Sequence, residues 1–125
     1  MRAAVFARDH GICTLCKADT EVLQAEYRKM IPRGMHSVKD GESPAEKFRI
    51  QHGVPIGRAS GDWWDADHIT PVIEGGGECG IENYRTLCIP CHVKATRELR
   101  ARMKERRREE KAVVKDAARG LFAGL

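Results

Sequence analysis

The sequence predicts a small α+β domain stapled by a metal and ending in a long helix, and three observations predict it. Two identically spaced cysteine pairs, Cys13 with Cys16 and Cys88 with Cys91, lie far apart in the chain. Two short strand candidates, Trp63 to Ile69 and Tyr84 to Leu87, are separated by a Pro- and Gly-bearing loop. From Cys91 onward no glycine occurs until Gly120, and Ala, Leu, Arg, Lys and Glu dominate, the composition of a helix.

Taken in order, Arg2 to Asp9 reads as a short helix carrying Val5 and Phe6 and stopping at Gly11. The C-T-L-C turn follows. A second helix begins at Thr20, carries Val22, Leu23 and Tyr27, and runs until Pro32 and Gly34. From Gly34 to Gly61 the chain is polar and interrupted, with Ala45 to His52 as one further helical piece. That middle segment is either an insertion that contacts substrate or a poorly ordered connection. Trp63 and Trp64 alternate faces on the first strand, so one is expected in the core, and the other is either exposed near substrate or, the favoured reading, also core. On the last helix Val93, Leu99, Met103, Val113 and Val114 are too sparse to bury its distal half, which must be solvated or docked.

Composition narrows the class. Charged residues make up 32% of the 125 residues and no apolar run approaches the ~20 residues of a membrane span, so no membrane role is expected. The opening MRAAVFARDHG lacks the apolar stretch of a secretory signal. Cytoplasm or nucleus, both reducing, is the expected location, where C-x2-C pairs are metal ligands more often than disulfides. Only seven residues are Phe, Trp or Tyr, so the core is thin and a metal staple is wanted. Four thiolates close the coordination of one Zn2+, which holds the fold and does no chemistry. Cys79 is left over and reads as a free thiol.

Charge is uneven. Residues 1–91 hold 11 basic and 13 acidic groups, a balance of −2, whereas residues 92–125 hold 11 basic and 5 acidic, a balance of +6. Such a segment suits a polyanion, a protein partner, or simple solvation.

Between the strands and the helix stand Asp67, His68, Asn83 and His92. The order D-H-I-x-P-V at Asp67, three glycines from Gly75, E-N at Glu82 and L-C-x2-C-H at Leu87 resembles the HNH endonuclease family. The segment R-D-H-G-I-C-x2-C, from Arg8 to Cys16, is similar to the first knuckle of its zinc-containing members. The resemblance covers about residues 2–20 and 61–97, and implies a treble-clef-like ββα-metal nuclease domain that hydrolyses DNA phosphodiester bonds. It assigns the catalytic divalent metal to Asp67 and His92, the general base to His68, and its orientation to Asn83. An imidazole with an ordinary pKa of ~6.5 suits deprotonation of water near neutral pH. Ala95 and Thr96 stand where some members place a further histidine, which favours Mg2+ or Mn2+ over Zn2+ at this second site. No small-molecule cofactor is expected.

Because neighbouring strand residues face opposite ways, Asp67 and His68 cannot both face one ion unless the strand ends there. Asp65 shares the face of Asp67, and either supports the metal ligands or is a plain solvated carboxylate. Arg85, Lys94, Arg97, Arg100 and Lys104 are the candidate phosphate contacts, giving affinity without sequence information. Arg106 to Arg108 either bind a protein or solubilise the helix. His10, His36 and His52 fall outside the pattern and read as surface residues. The expected division is a nuclease domain at 1–97, with 17–60 as an insertion, and a basic helical extension at 98–125.

Overall fold

In a computed structural model the described residues are 1–35, 39, 41–76 and 80–123; Cys79 and His36 lie outside them. Four helices, α1 (Arg2–Asp9), α2 (Thr20–Met30), α3 (Pro44–Gln51) and α4 (Ile89–Ala123), accompany an antiparallel pair, β1 (Trp64–His68) and β2 (Tyr84–Cys88). The α+β class expected from the sequence is what the chain adopts, with the two strands leading into the long helix. The chain forms two compact units, Met1–His92 and Val93–Leu125.

Local chemistry sets the element ends. Helix α1 stops because His10 and Gly11 both take left-handed conformations, at φ 55° and 74°, turning the chain into the first cysteine pair. There Cys13 N–H donates to Ala18 O and Lys17 N–H to Cys13 O, both at 2.9 Å, which closes a knuckle. Asp19 caps α2 by accepting from Val22 N–H, and Ser43 caps α3 by accepting from Glu46 N–H, with Pro44 preset in the first turn. Pro90 stands in the first turn of α4, where a missing N–H costs nothing.

The core of the first unit gathers Tyr27, Ala45, Val54, Ala59, Trp63 and Ile89. Three of these lie between residues 44 and 59, so α3 and the turn after it contribute directly to the core and are no poorly ordered connection. Within α3 the buried Glu46 and Arg49 neutralise each other, and Arg49 also donates to Val54 O. Both tryptophans are buried, 2% and 3% exposed, in line with the core reading and against exposure of one near substrate. Trp63 packs on Tyr27 at 5.2 Å, while Trp64 turns to the other side and is covered by Phe6 at 5.8 Å and the Arg2 guanidinium at 3.9 Å. A strand covered on both faces needs apolar residues on both.

Helix α1 is tied to β2 by charge. The Asp9 carboxylate accepts from Thr86 N–H (3.2 Å) and Thr86 Oγ1 (2.9 Å), and Arg8, paired with Asp9, donates to Ile81 O and Tyr84 O. Chiefly through its hydrogen bond with Arg8, and also those with Thr86, the Asp9 carboxyl sits below its usual pKa of 3.8. Its stabilisation is therefore complete above pH 3.8 and lost as pH falls through the lowered folded-state value. Asp9→Ala leaves the fully buried Thr86 without its acceptor, at an expected cost of about 1–3 kcal/mol near neutral pH. Urea unfolding of both proteins across acidic pH should show the difference shrinking toward the acid end.

In the second unit Val113 and Val114 are 68% and 69% exposed, as the sparse apolar pattern of the distal helix predicts. No helix among the described residues is long and apolar enough to cross a membrane.

Candidate metal and catalytic centre

Four sulfurs converge. The Sγ atoms of Cys13, Cys16, Cys88 and Cys91 all lie within 4.8 Å of one another, the only such group of metal-ligating side chains among the described residues. The knuckle supplies two, the end of β2 and the first turn of α4 the others, and Thr14 N–H donates to Thr86 O to hold knuckle and strand together. Cys16 and Cys88 sulfurs stand 3.6 Å apart, far beyond the ~2.05 Å of a disulfide and close to the ~3.8 Å edge of a tetrahedron with Zn–S bonds of ~2.3 Å.

The thiols differ sharply in acidity. Burial pushes Cys13 up, but N–H groups of Cys16, Cys88 and Leu15 outweigh it and bring it down to about 6. Burial pushes Cys88 and Cys91 up, and the nearby Cys16 and Cys13 sulfurs push the same way. The helix N-terminus alone does not ionise the second pair. Four such sulfurs held together call for a cation in place of their protons, and the set fits zinc.

A second cluster lies on one face of the hairpin. Register pairs Asp67 with Arg85 and His68 with Tyr84, so the two neighbours do face opposite ways. On one face Arg85 Nε reaches Asp67 Oδ2 at 3.1 Å, and His92 Nε2 stands 3.6 Å from Asp67 Oδ1. Asp65 joins them, with Oδ2 at 3.0 Å from His92 Nδ1 and Arg58 gripping both carboxylate oxygens at 2.9 and 3.2 Å. On the other face the His68 ring stacks on Tyr84 with centroids 4.4 Å apart, and β1 ends there. Among the described residues neither His68 nitrogen has a hydrogen-bond partner.

Asn83 is buried and its amide is fully used. Oδ1 accepts from Thr70 N–H at 2.9 Å, and Nδ2 donates to Thr70 O and Gly76 O at 3.1 Å, while Asn83 O accepts from Ile69 N–H at 2.7 Å. It therefore holds the backbone that follows His68 and, among the described residues, makes no hydrogen bond to the ring. Gly76 is needed for this closure: a Cβ there would lie 1.7 Å from Thr70 O.

The structure thus brings Asp67 to His92, places His68 beside them in sequence but on the opposite face, and uses Asn83 in the loop. Arg85 meets Asp67 before any phosphate. Lys94, Arg97, Arg100 and Lys104 are exposed on their own unit. His10 is exposed at the end of α1, and His52 is half-buried against Phe48. Sequence reading missed Arg58 and the stacking of Tyr84 on His68. The one available signal was the D-A-D spacing, which placed Asp65 on the face of Asp67.

Known proteins share this architecture. The HNH endonuclease family model matches residues 49–98. The crystal structure of the human ZRANB3 HNH domain matches with a TM-score of 0.52 and 32% identity, covering 85% of this chain and 92% of that one. The DNA annealing helicase and endonuclease ZRANB3 of Homo sapiens is 33% identical over 113 residues, and that of Mus musculus 34% over 103. These alignments cover 86% and 77% of this chain but 10% and 9% of those proteins, so the chain spans about a tenth of their length. On the match to a solved domain over nearly its full length, this chain belongs to the HNH endonuclease family.

Proposed function

We propose that this chain hydrolyses DNA phosphodiester bonds, with Asp67 and His92 holding one divalent cation and His68 acting as general base. The observation that carries the reading is the convergence of a carboxylate and an imidazole, 3.6 Å apart, from β1 and from the first turn of α4, which also carries Cys91 of the cysteine cluster. One carboxylate oxygen and one imidazole nitrogen suit Mg2+ or Mn2+ with open positions. When bound there, the cation supplies positive charge at the scissile phosphate.

The remaining roles belong to the chain. His68 takes a proton from water through a ring nitrogen, its plane fixed by Tyr84 and its backbone by the Asn83 loop. Arg85, released from Asp67, meets a phosphate oxygen, and Lys94, Arg97, Arg100 and Lys104 neutralise backbone charge. The products expected are 5′-phosphate and 3′-hydroxyl ends, with low sequence preference. A nuclease domain at 1–97 followed by a basic extension at 98–125 fits this allocation, and the extension offers a surface for a protein partner.

The Arg85–Asp67 ion pair favours a second reading, a zinc-stabilised nucleic-acid-binding module whose second site takes no metal. Supercoiled plasmid incubated with a metal series separates them. Nicking with Mg2+ or Mn2+ that disappears in Asp67→Ala, with DNA binding kept, is the expected outcome; a wild type that binds DNA and never nicks it establishes the module instead.

A further inference from the structure

Asp65, left between a supporting and a plain solvated role by its sequence position, and Arg58 have no part in the proposed mechanism, yet both stand at the proposed site. Asp65 is 17% exposed at its side chain and is engaged from both sides. Arg58 grips its two oxygens from one side, and His92 Nδ1 stands 3.0 Å from Oδ2 on the other. Arg58 is itself anchored, donating to Asp62 O at 3.2 Å. A carboxylate has only lone pairs to offer, so the contact requires the ring proton on Nδ1. A neutral imidazole with its proton on Nδ1 carries its lone pair on Nε2, the nitrogen that faces Asp67.

We infer that Asp65 is a positioning residue that fixes the orientation and tautomer of His92, with Arg58 holding Asp65 in place. This rests on the reading that Asp67 and His92 hold the cation. A ring presented with its lone pair already outward binds without first rotating or losing the wrong proton, so removal of the support should weaken metal binding about 10- to 100-fold. The Asp-Ala-Asp spacing serves two roles from one strand face, Asp67 toward the cation and Asp65 behind the imidazole.

The test uses the full zinc-loaded chain and two readouts. The first is the ring 15N spectrum of His92 without added Mg2+ or Mn2+, recorded on the alkaline side, where the spectrum itself shows the ring to be neutral. The wild type should show the Nδ1–H tautomer, and Asp65→Ala should lose it. The second is Mn2+ affinity, expected to fall about 10- to 100-fold in Asp65→Ala with zinc content unchanged. Asp65→Asn, nearly the same shape and still able to accept from Nδ1–H, should lose less. An Nε2–H tautomer in the wild type, or Asp65→Ala binding Mn2+ as tightly as wild type, overturns the inference. If the wild type itself takes up no Mn2+, the proposed function fails, and the ring spectrum still decides whether Asp65 sets the tautomer.

Discussion

Replacing His68 by alanine is expected to lower the plasmid nicking rate by about 10²- to 10⁴-fold, the range of a lost general base, while zinc content, Mn2+ binding and DNA affinity stay at wild-type levels. The separation follows from strand geometry. His68 shares its face with Tyr84, and the proposed metal ligand Asp67 shares the other with Arg85, so truncating the imidazole removes a proton acceptor without disturbing the carboxylate. The structural cost is confined to one ring stack with Tyr84, worth about 0.5–1.5 kcal/mol. A drop in kcat with KM unchanged, measured under saturating Mn2+, is the signature. Wild-type nicking by the variant would mean that the base lies elsewhere.

That face assignment shows where sequence reasoning works and where it stops. Period-two alternation in W-W-D-A-D-H was enough to place Asp65 with Asp67 and to set His68 against them, because a strand leaves a side chain only two directions. For the tryptophans the same rule separates the faces correctly but leaves open what covers each one, and it is α1 that brings Phe6 and Arg2 over Trp64. Asn83 was legible as a member of the motif, yet its work is done on Thr70 and Gly76, since an amide's partners depend on a loop closure that no local pattern encodes. Arg58 was invisible for a related reason: its approach to Asp65 depends on the turn between α3 and β1. The core contribution of residues 44–59 was hidden by their polar composition, although Ser43, Pro44 and Glu46 together spell a helix start.

The largest effect on stability should come from the cysteine cluster. Stripping zinc with a strong chelator, or changing Cys88 to serine, is expected to unfold the first unit, seen as exposure of Trp63 and Trp64 by fluorescence, and to abolish nicking. Two of the six residues in its core cluster are alanines, so hydrophobic burial there is modest, and small domains net only about 5–15 kcal/mol in any case. Structural zinc contributes an apparent ~10–16 kcal/mol of coupled folding, so its loss exceeds what the core can hold alone. The cysteines should not be equivalent. Cys88 is 7% exposed, ends β2 opposite Trp64 and leads directly into α4, whereas Cys16 is exposed in the knuckle, so Cys16→Ser should be the milder variant. Tryptophan fluorescence is the proper probe because the helix beyond His92, rich in Ala, Arg, Lys and Glu, can keep part of its helical signal when the first unit is gone. A chelated protein that keeps both tryptophans buried would show that the four thiols pack as an ordinary core, and the proposed catalytic face would then owe its geometry to the hairpin alone.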